Sequence, residues 1–278
     1  MNTLENVVMP IIKSLNLLNI NDFKYNEISN RRGVLVSKIT IEGNQYILKA
    51  AVDSKDESID KEKYAYAKLN FLKDLLVSSG NSPCSWLLIK NLDFKSLDKY
   101  ISKMILNNSS EKLLSEELIR VANLVMKAHE NGFIHGDLQP SHFLLSKDSE
   151  FLIDWGASLN KNSRIYKGAL VHYVSPEVAM QMLQKKDNIE INEVSEVYSL
   201  CSVFYFSISG ETSTNYGSKN YKSISFEDKL LMVSSNGANG EELKNFKRIY
   251  KILQKGLSIN KDERYQTIKD LILDLKNI

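Results

Sequence analysis

The sequence predicts an α+β protein in which a small β-rich lobe precedes a larger α-helical lobe. Three strand-like runs lie close together within residues 21–52, which is the pattern of a small sheet. From about residue 97 onward, apolar residues recur at helical spacing instead. The chain has 278 residues, of which 43% are hydrophobic and 25% are charged, so it can bury one large core or two modest ones.

Composition and charge narrow the range of partners and compartments. Lys and Arg number 36 against 34 Asp and Glu, so nothing indicates a nucleic-acid partner or an acidic membrane surface. Cys84 and Cys201 lack metal-ligand spacing, which argues against a disulfide framework and fits a reducing compartment. We find neither a signal peptide nor a long apolar run, and we therefore expect a soluble, cytoplasmic protein with no membrane partner.

The first part of the chain divides into an extension and the β-rich lobe. Residues 1–20 are predicted to form an amphipathic helical extension, and residues 21–92 the lobe itself. A Gly43-Asn44 turn is expected between its second and third strands. The elements predicted for the lobe are strands at 23–28, 34–41 and 46–52, a helix over 55–76 and a buried strand over 86–89.

Residues 93–278 are predicted to form the helical lobe. The run over 194–208 is apolar nearly all round, which predicts a central buried helix. The segment 91–96 is the natural crossing point between the lobes, and ligands favour such interdomain clefts. Three further helices are predicted from apolar stripes formed by Leu114, Leu118, Val121, Val125 and Ala128, by Leu243, Phe246, Tyr250 and Leu253, and by Ile268, Leu271, Ile272 and Leu275.

Two aspartates in the helical lobe carry the clearest chemical signal. Asp137 and Asp154 are 17 positions apart, and the residues between them include two short apolar runs separated by a polar turn. This pattern predicts a β-hairpin that brings both carboxylates to one end of the same sheet. Two carboxylates held on rigid elements can bind Mg²⁺ and orient a hydroxyl for phosphoryl transfer.

The segment His135-Gly136-Asp137 through His142 resembles the catalytic loop of the protein-kinase superfamily, and Asp154-Trp155-Gly156 resembles its Asp-Phe-Gly. The resemblance implies a bilobal protein-kinase-like fold, with ATP and Mg²⁺ or Mn²⁺ as cofactors. It implies that Asp137 accepts the proton of the acceptor hydroxyl and that Asp154 binds metal. His135 and Gly156 are expected to be structural.

The resemblance has departures within the loop itself. Gly136 replaces the family's arginine, which suggests that activity does not need loop phosphorylation, and His-Gly-Asp also occurs in small-molecule phosphotransferases. Gln139 replaces the lysine typical of Ser/Thr kinases. His142 stands where the family has a metal-binding asparagine, and three interpretations stay open: a nitrogen ligand for a softer metal, a one-metal enzyme that depends on Asp154, or a degenerate site.

The resemblance also implies that residues of the β-rich lobe bind ATP. Lys49 resembles the strand lysine that contacts the phosphates, although a solvated lysine is the plainer interpretation. Glu62 is the expected partner of Lys49, with Glu57 as the alternate. Of the family's three loop glycines only Gly33 is present, so the expected phosphate cradle is weakened. The adenine-contacting segment is placed at Ile89, Lys90, Asn91 and Leu92.

Further matches in the second lobe favour a protein kinase over a small-molecule kinase. The segment ending in Pro176-Glu177 resembles the end of an activation segment, and Glu177 is expected to pair with Arg264. Glu196 begins a segment that resembles the signature of the central helix. Three functions remain open: a kinase acting on Ser or Thr of a protein substrate, a pseudokinase that binds nucleotide or a protein partner, and a small-molecule kinase. The sequence does not fix an oligomeric state.

Overall fold

The computed structural model describes residues 4–15, 23–53, 55–160, 168–217, 223–236, 238 and 240–278. The chain divides into two compact units, Met1–Asp93 and Phe94–Ile278. Among the described residues, no helix combines the length and apolarity needed to cross a membrane. Cys84 and Cys201 are both free thiols, and Cys201 is buried.

The first unit is built on an antiparallel sheet with the strand order β1-β2-β3-β5-β4. The short helix α1 packs on this sheet, because its buried residues Ile11 and Ile12 belong to the same apolar cluster as Leu48 and Trp86. A π-helical turn, Leu4–Val8, precedes α1. The elements of the unit are α1 (Met9–Ser14), β1 (Lys24–Arg31), β2 (Val34–Ile41), β3 (Asn44–Ala51), α2 (Ser58–Lys68), β4 (Leu76–Gly80) and β5 (Trp86–Lys90).

Two predictions for the first unit were wrong in detail. The turn between β2 and β3 is formed by Glu42 and Gly43, with φ of 50° and 78°, because this tight turn needs two left-handed residues and Asn44 already begins β3. The helix predicted over 55–76 ends at Lys68, and the strand β4 that follows was missed. Pairing of β4 with β5 outweighs the helical pattern there, since β-strand formation depends on partners distant in sequence. Of the predicted extension over 1–20, only residues 4–15 lie within the described part of the chain.

The second unit is helical apart from a small antiparallel sheet with the strand order β6-β7-β8. Its central helix α6 is buried on nearly all sides, as its apolar composition predicts. The elements of the unit are β6 (Lys95–Ser96), α3 (Leu97–Leu106), α4 (Glu111–Glu130), β7 (Phe143–Leu145), β8 (Glu150–Leu152), α5 (Pro176–Leu183), α6 (Glu193–Ser209), α7 (Phe226–Asn236), α8 (Lys247–Gly256) and α9 (Ile268–Lys276).

The apolar stripes identify the core faces of this unit. Every stripe residue predicted on α4 and on α9 is buried. The helix predicted from the third stripe begins earlier than the observed one. Helix α8 starts at Lys247, and Leu243 lies before it. Phe246 occupies the position that precedes α8, with a non-helical φ of −136°. Both residues are nevertheless buried, so their apolar character reflects the core rather than helical periodicity.

Candidate functional site

Lys49 and Glu62 form a buried ion pair within the first unit. Lys49 lies on β3, where it is paired in register with Leu87 of β5, and Glu62 lies on α2. Lys49 Nζ donates to both carboxylate oxygens of Glu62, at 2.9 and 3.0 Å. Lys49 is 8% exposed and Glu62 1%, so Lys49 is not the solvated lysine of the plainer interpretation. Loss of one partner of such a pair leaves a buried charge and costs about 3–5 kcal/mol.

Gly33 lies in the tight turn between β1 and β2. Arg32 and Gly33 have φ of 53° and 79°, and a Cβ on Gly33 would come within 2.6 Å of the Cβ of Asp53. The carbonyl oxygen of Gly33 accepts hydrogen bonds from the backbone N–H groups of Val52 and Asp53, at 2.8 and 3.2 Å. Turn conformation and close packing therefore require a glycine here, whether or not a phosphate binds nearby.

The segment predicted to contact adenine is the end of β5. The N–H of Lys90 donates to the carbonyl of Leu75, and the N–H of Asn91 donates to the carbonyl of Gln45, each at 2.9 Å. The side-chain amide of Asn91 donates to Gln45 Oε1 at 3.1 Å. Ile89 is buried, 5% exposed, among the strands. The backbone donors of Lys90 and Asn91 are thus used within the unit. A nucleobase at this segment, including Leu92, would have to bind through other groups.

In the second unit, Asp137 is fixed at its main chain on both sides. Its backbone N–H donates to His135 Nδ1 at 3.3 Å, and its carbonyl accepts from His142 Nδ1 at 2.8 Å. Its carboxylate Oδ2 accepts from Gln139 Nε2 at 3.2 Å. The other carboxylate oxygen, Oδ1, is buried and accepts no hydrogen bond from the described residues. A buried carboxylate oxygen in this condition is costly unless a further donor reaches it.

Glu196 holds the backbone that leads into Asp137. It lies on α6 and is 1% exposed. Its carboxylate accepts from the N–H of His135 at 3.1 Å, from the N–H of Gly136 at 2.8 Å and from His129 Nε2 at 2.8 Å. Burial opposes ionisation of Glu196, but the hydrogen bond and charge of His129 and these backbone donors keep its pKa below the usual range. Glu196 therefore connects the central helix to the loop. The contribution of His129 was not foreseen.

His135 connects this loop to the strand end that carries Asp154. Its Nε2 lies 3.0 Å from the carbonyl oxygen of Ile153, and its ring packs edge-on against Trp155 with centroids 4.6 Å apart. Complete burial, with His142 nearby, lowers the pKa of His135. A neutral imidazole that donates to Ile153 and accepts from the N–H of Asp137 satisfies both contacts. Gly156 belongs to the adjacent 3-10 turn, Trp155–Ala157.

His142 and Asp154 lie together at the end of the hairpin formed by β7 and β8. His142 Nε2 is 3.3 Å from Asp154 Oδ2, and the backbone of Asp154 is left-handed, with φ of 66°. His142 is 9% exposed at its side chain, whereas Asp154 is 47% exposed. Burial alone would lower the pKa of His142, but the hydrogen bond and the charge of Asp154 outweigh it and raise the pKa. The hairpin thus places Asp137, His142 and Asp154 in one connected group.

This donor set fits a divalent cation that also binds phosphate. His142 Nδ1 faces a carbonyl oxygen and carries a proton. In the hydrogen bond to Asp154, Nε2 carries a proton as well, and a cation bound at Nε2 would replace that proton. His142 Nε2 and Asp154 Oδ2, 3.3 Å apart, would be the protein ligands of such a cation. No group of three or more His, Cys, Asp or Glu in the described residues could hold a metal ion. A cation here would therefore complete its coordination with phosphate oxygens and water, as Mg²⁺ does in nucleotide complexes.

Glu177 and Arg264 form a second ion pair far apart in sequence. Arg264 donates from both terminal nitrogens to the two oxygens of Glu177, at 2.8 Å each, and its side chain is 0% exposed. Arg264 also donates to the carbonyls of Ser258 and Ile259. Burial raises the pKa of Glu177, but hydrogen bonds and charge from Arg264 outweigh it, and the pKa is lowered overall. The pair fixes the start of α5, next to the segment that resembles the end of an activation segment.

Arg120 supports the hairpin and has no counterpart in the predictions. It lies on α4 and donates to the carboxylates of Glu117 and Glu150, each at 2.9 Å. Its other donors reach the carbonyls of Ser146 and Ser149, in the turn between β7 and β8. In sequence it looks like an ordinary helix-surface arginine with an acidic neighbour three positions away. Because these contacts hold the hairpin, Arg120 contributes indirectly to the position of Asp154.

Comparisons with known proteins relate this chain to kinases. A sequence model of the lipopolysaccharide kinase (Kdo/WaaP) family matches residues 77–164. The probable serine/threonine-protein kinase fnkB of Dictyostelium discoideum is 28% identical over 177 residues, 59% of this chain and 31% of that protein. The serine/threonine-protein kinase MPS1 of Saccharomyces cerevisiae is 27% identical over 246 residues, 78% of this chain and 31% of that protein. AfsK of Streptomyces coelicolor, also a serine/threonine-protein kinase, is 34% identical over 95 residues, 32% of this chain and 11% of that protein.

The β-rich first unit, the helical second unit and the paired aspartates beside a short hairpin define a protein-kinase-like fold. The family model and the kinase relatives support a place for this chain in the protein-kinase superfamily. The matches span about a third or less of the length of these curated relatives.

Proposed function

We propose that this chain transfers the γ-phosphoryl group of ATP to a hydroxyl group. The observation that carries the proposal is the geometry of Asp137 and Asp154. Asp137 has a buried carboxylate oxygen that accepts no hydrogen bond from the described residues, and Asp154 lies within 3.3 Å of His142 with its carboxylate half exposed. One carboxylate is thus poised to accept a proton and the other to bind a cation.

In this proposal Lys49 contacts the phosphates of ATP. Glu62 holds the ammonium group in place through two hydrogen bonds, of 2.9 and 3.0 Å, so little reorganisation is needed when a nucleotide binds. Gly33 and the segment Ile89–Leu92 would lie beside the nucleotide, and the base would bind through groups other than the N–H donors of Lys90 and Asn91. The tight turn at Gly33 provides a smaller backbone cradle than a loop with three glycines.

Asp154 and His142 would hold the divalent cation that accompanies ATP, Mg²⁺ or Mn²⁺. Such a cation neutralises charge that develops on the phosphate oxygens. An imidazole ligand favours Mn²⁺ over Mg²⁺, because Mg²⁺ prefers oxygen. This follows the first of the three interpretations of His142.

Asp137 would accept the proton of the acceptor hydroxyl. The hydroxyl oxygen forms a bond to the γ-phosphorus while the bond from that phosphorus to the bridging oxygen of ADP breaks, and the proton passes to Oδ1 of Asp137. Positioning and charge stabilisation account for most of the catalysis in this reaction class.

We infer that the acceptor is a Ser or Thr hydroxyl of a protein. The Glu177–Arg264 pair supports this inference, because it orders the start of α5 in the segment over 168–177, which resembles the end of the activation segment of a protein kinase. The three relatives named above are all called serine/threonine-protein kinases, which agrees with the same inference.

A carbohydrate hydroxyl is the second candidate acceptor. The match to the lipopolysaccharide kinase family over residues 77–164 favours it, since that match includes Asp137, His142 and Asp154. Gly136, in place of the arginine of protein kinases, favours a small-molecule acceptor as well.

The decisive experiment follows labelled phosphate from ATP with Mg²⁺ or Mn²⁺, using the chain itself, a generic Ser/Thr protein and lipopolysaccharide sugars as acceptors. We expect label on protein, and a rate about 10²- to 10⁴-fold lower in Asp137→Ala. Asp148→Ala, an exposed aspartate in the turn between β7 and β8, is the matched control and should retain the rate. Label on sugar alone would select the second candidate. Stabilisation by nucleotide without transfer to any acceptor would identify a pseudokinase and refute the proposal.

A further inference from the structure

Gln139 makes the one side-chain hydrogen bond that the described residues provide to the Asp137 carboxylate. Gln139 Nε2 lies 3.2 Å from Asp137 Oδ2, and its Oε1 lies 3.1 Å from Ser141 Oγ. Gln139 itself precedes the 3-10 turn Pro140–His142, with an extended backbone at φ of −152°. Three residues of one short loop therefore form a chain of hydrogen bonds that ends at the proposed base.

The orientation of the Gln139 amide is determined by its neighbours. An ionised carboxylate only accepts hydrogen bonds, so the amide nitrogen must face Asp137. The amide oxygen then faces Ser141, whose hydroxyl donates to it. A flipped amide would place its oxygen against the carboxylate oxygen, which is repulsive. Asp137 thus sets the orientation of the amide, and the hydroxyl of Ser141, which can donate or accept, holds the amide in it.

The main chain of Asp137 is held independently of Gln139. Its N–H and its carbonyl bond to His135 and to His142, so the backbone is fixed and the rotation of the side chain remains to be set. The hydrogen bond from Gln139 to Oδ2 restricts that rotation. It leaves Oδ1, buried and without a hydrogen-bond donor in the described part of the chain, as the remaining acceptor.

We propose that Gln139, held by Ser141, is a positioning residue that directs Oδ1 of Asp137 toward the acceptor hydroxyl. This inference rests on the proposed function. Gln139 acts through Asp137 and contributes no charge to the phosphates, so its effect falls on the transfer step rather than on ATP binding.

The first test compares variants of Gln139 in the full chain, with transfer measured at saturating ATP and Mn²⁺. We expect Gln139→Leu to lower kcat about 10- to 100-fold, because displacement of a reacting group by about 1 Å has an effect of this size. KM for ATP and the thermal shift on nucleotide binding should stay unchanged. Gln139→Lys restores a donor and should recover most of kcat. Gln254→Leu, an exposed glutamine on α8, is the matched control.

The second test is a double-mutant cycle that pairs Gln139→Leu with Asp137→Ala. If Gln139 acts through Asp137, the leucine has no further effect on the residual rate of the alanine variant. Equal, independent losses in both backgrounds would overturn the inference, as would wild-type kcat in Gln139→Leu. Failure of the unaltered chain to transfer phosphate to any acceptor would refute the proposed function, and this inference with it.

Discussion

His142 Nε2 lies 3.3 Å from Asp154 Oδ2. In the protein-kinase superfamily, the position that corresponds to His142 is an asparagine. The proton on Nδ1 is directed to the carbonyl of Asp137, so Nε2 is the nitrogen available to a cation. The choice of metal should therefore depend on this one imidazole.

Replacement of His142 by asparagine should shift the metal preference from Mn²⁺ toward Mg²⁺. The physical reason is the exchange of a nitrogen ligand for an oxygen ligand, and we expect the ratio of Mn²⁺- to Mg²⁺-supported rates to fall about tenfold or more. Titration of nucleotide-dependent thermal stabilisation with each metal provides a readout apart from activity. His172→Asn, which alters a histidine bonded to Tyr216, should leave the ratio unchanged. An unaltered ratio in His142→Asn would remove His142 from the metal site.

Replacement of Lys49 by methionine should have two separate effects. It should destabilise the fold, because the ion pair with Glu62 is lost, and it should abolish nucleotide binding, because the contact with the phosphates is lost. The variant removes both hydrogen bonds that Lys49 donates to the carboxylate of Glu62, which is 1% exposed, at a cost of about 3–5 kcal/mol. The double variant Lys49→Met/Glu62→Leu should recover most of this stability, because two apolar side chains leave no unpaired charge. It should still not bind ATP. Chemical denaturation and nucleotide titration measure the two effects separately. Recovery of ATP binding in the double variant would show that Lys49 does not contact the phosphates.

The ion pair of Glu177 and Arg264 should make the free energy of unfolding decrease as the pH falls into the acid range. The pKa of Glu177 is lowered from 4.5 in the folded chain, so the unfolded chain binds its proton first as the pH falls. The stabilisation is complete above pH 4.5 and is lost as the pH falls through the lower folded value. Glu177→Ala should lose about 3–5 kcal/mol at neutral pH, and less in acid. Urea denaturation from pH 7 to pH 3 measures the difference. A constant difference across that range would exclude the ion pair as its source.

The contacts that could be predicted from the sequence are those between residues that each lie in a recognisable motif. Glu177 and Arg264 are 87 positions apart, yet each lies in a recognisable segment, and the structure places them in a bidentate pair. The hairpin before Asp154 could also be predicted, because two apolar runs and a polar turn are a local signal. Side-chain contacts between Asp137, Gln139 and Ser141 could not, because spacing alone does not show which way an amide points.

The elements that the sequence missed depend on partners far along the chain. β4 is a strand because it pairs with β5, and its own residues carry a mixed pattern. Arg120 reaches a turn about 26 positions away, and no motif records that contact. Leu243 and Phe246 are buried without being helical, so burial was mistaken for periodicity. In each case tertiary packing, rather than local preference, decides the outcome.

Replacement of Glu196 by glutamine should loosen the loop that carries Asp137 without changing the fold. The amide keeps the size of the side chain, but one of its two ends becomes a donor. That end faces either the N–H of Gly136, at the Oε1 position, or His129 and the N–H of His135, at the Oε2 position. Each donor left unsatisfied costs about 1–3 kcal/mol.

Hydrogen exchange over residues 131–142 measures this loosening directly, and we expect faster exchange there together with a lower rate of transfer. Glu193→Gln is the matched control, since Glu193 lies on the same helix, is 45% exposed and is 3.8 Å from His129 Nδ1. It should leave exchange in the loop unchanged. If Glu196→Gln exchanged as slowly as the unaltered chain, the loop would be held by His135 and His142 alone, and the central helix would have no part in positioning Asp137.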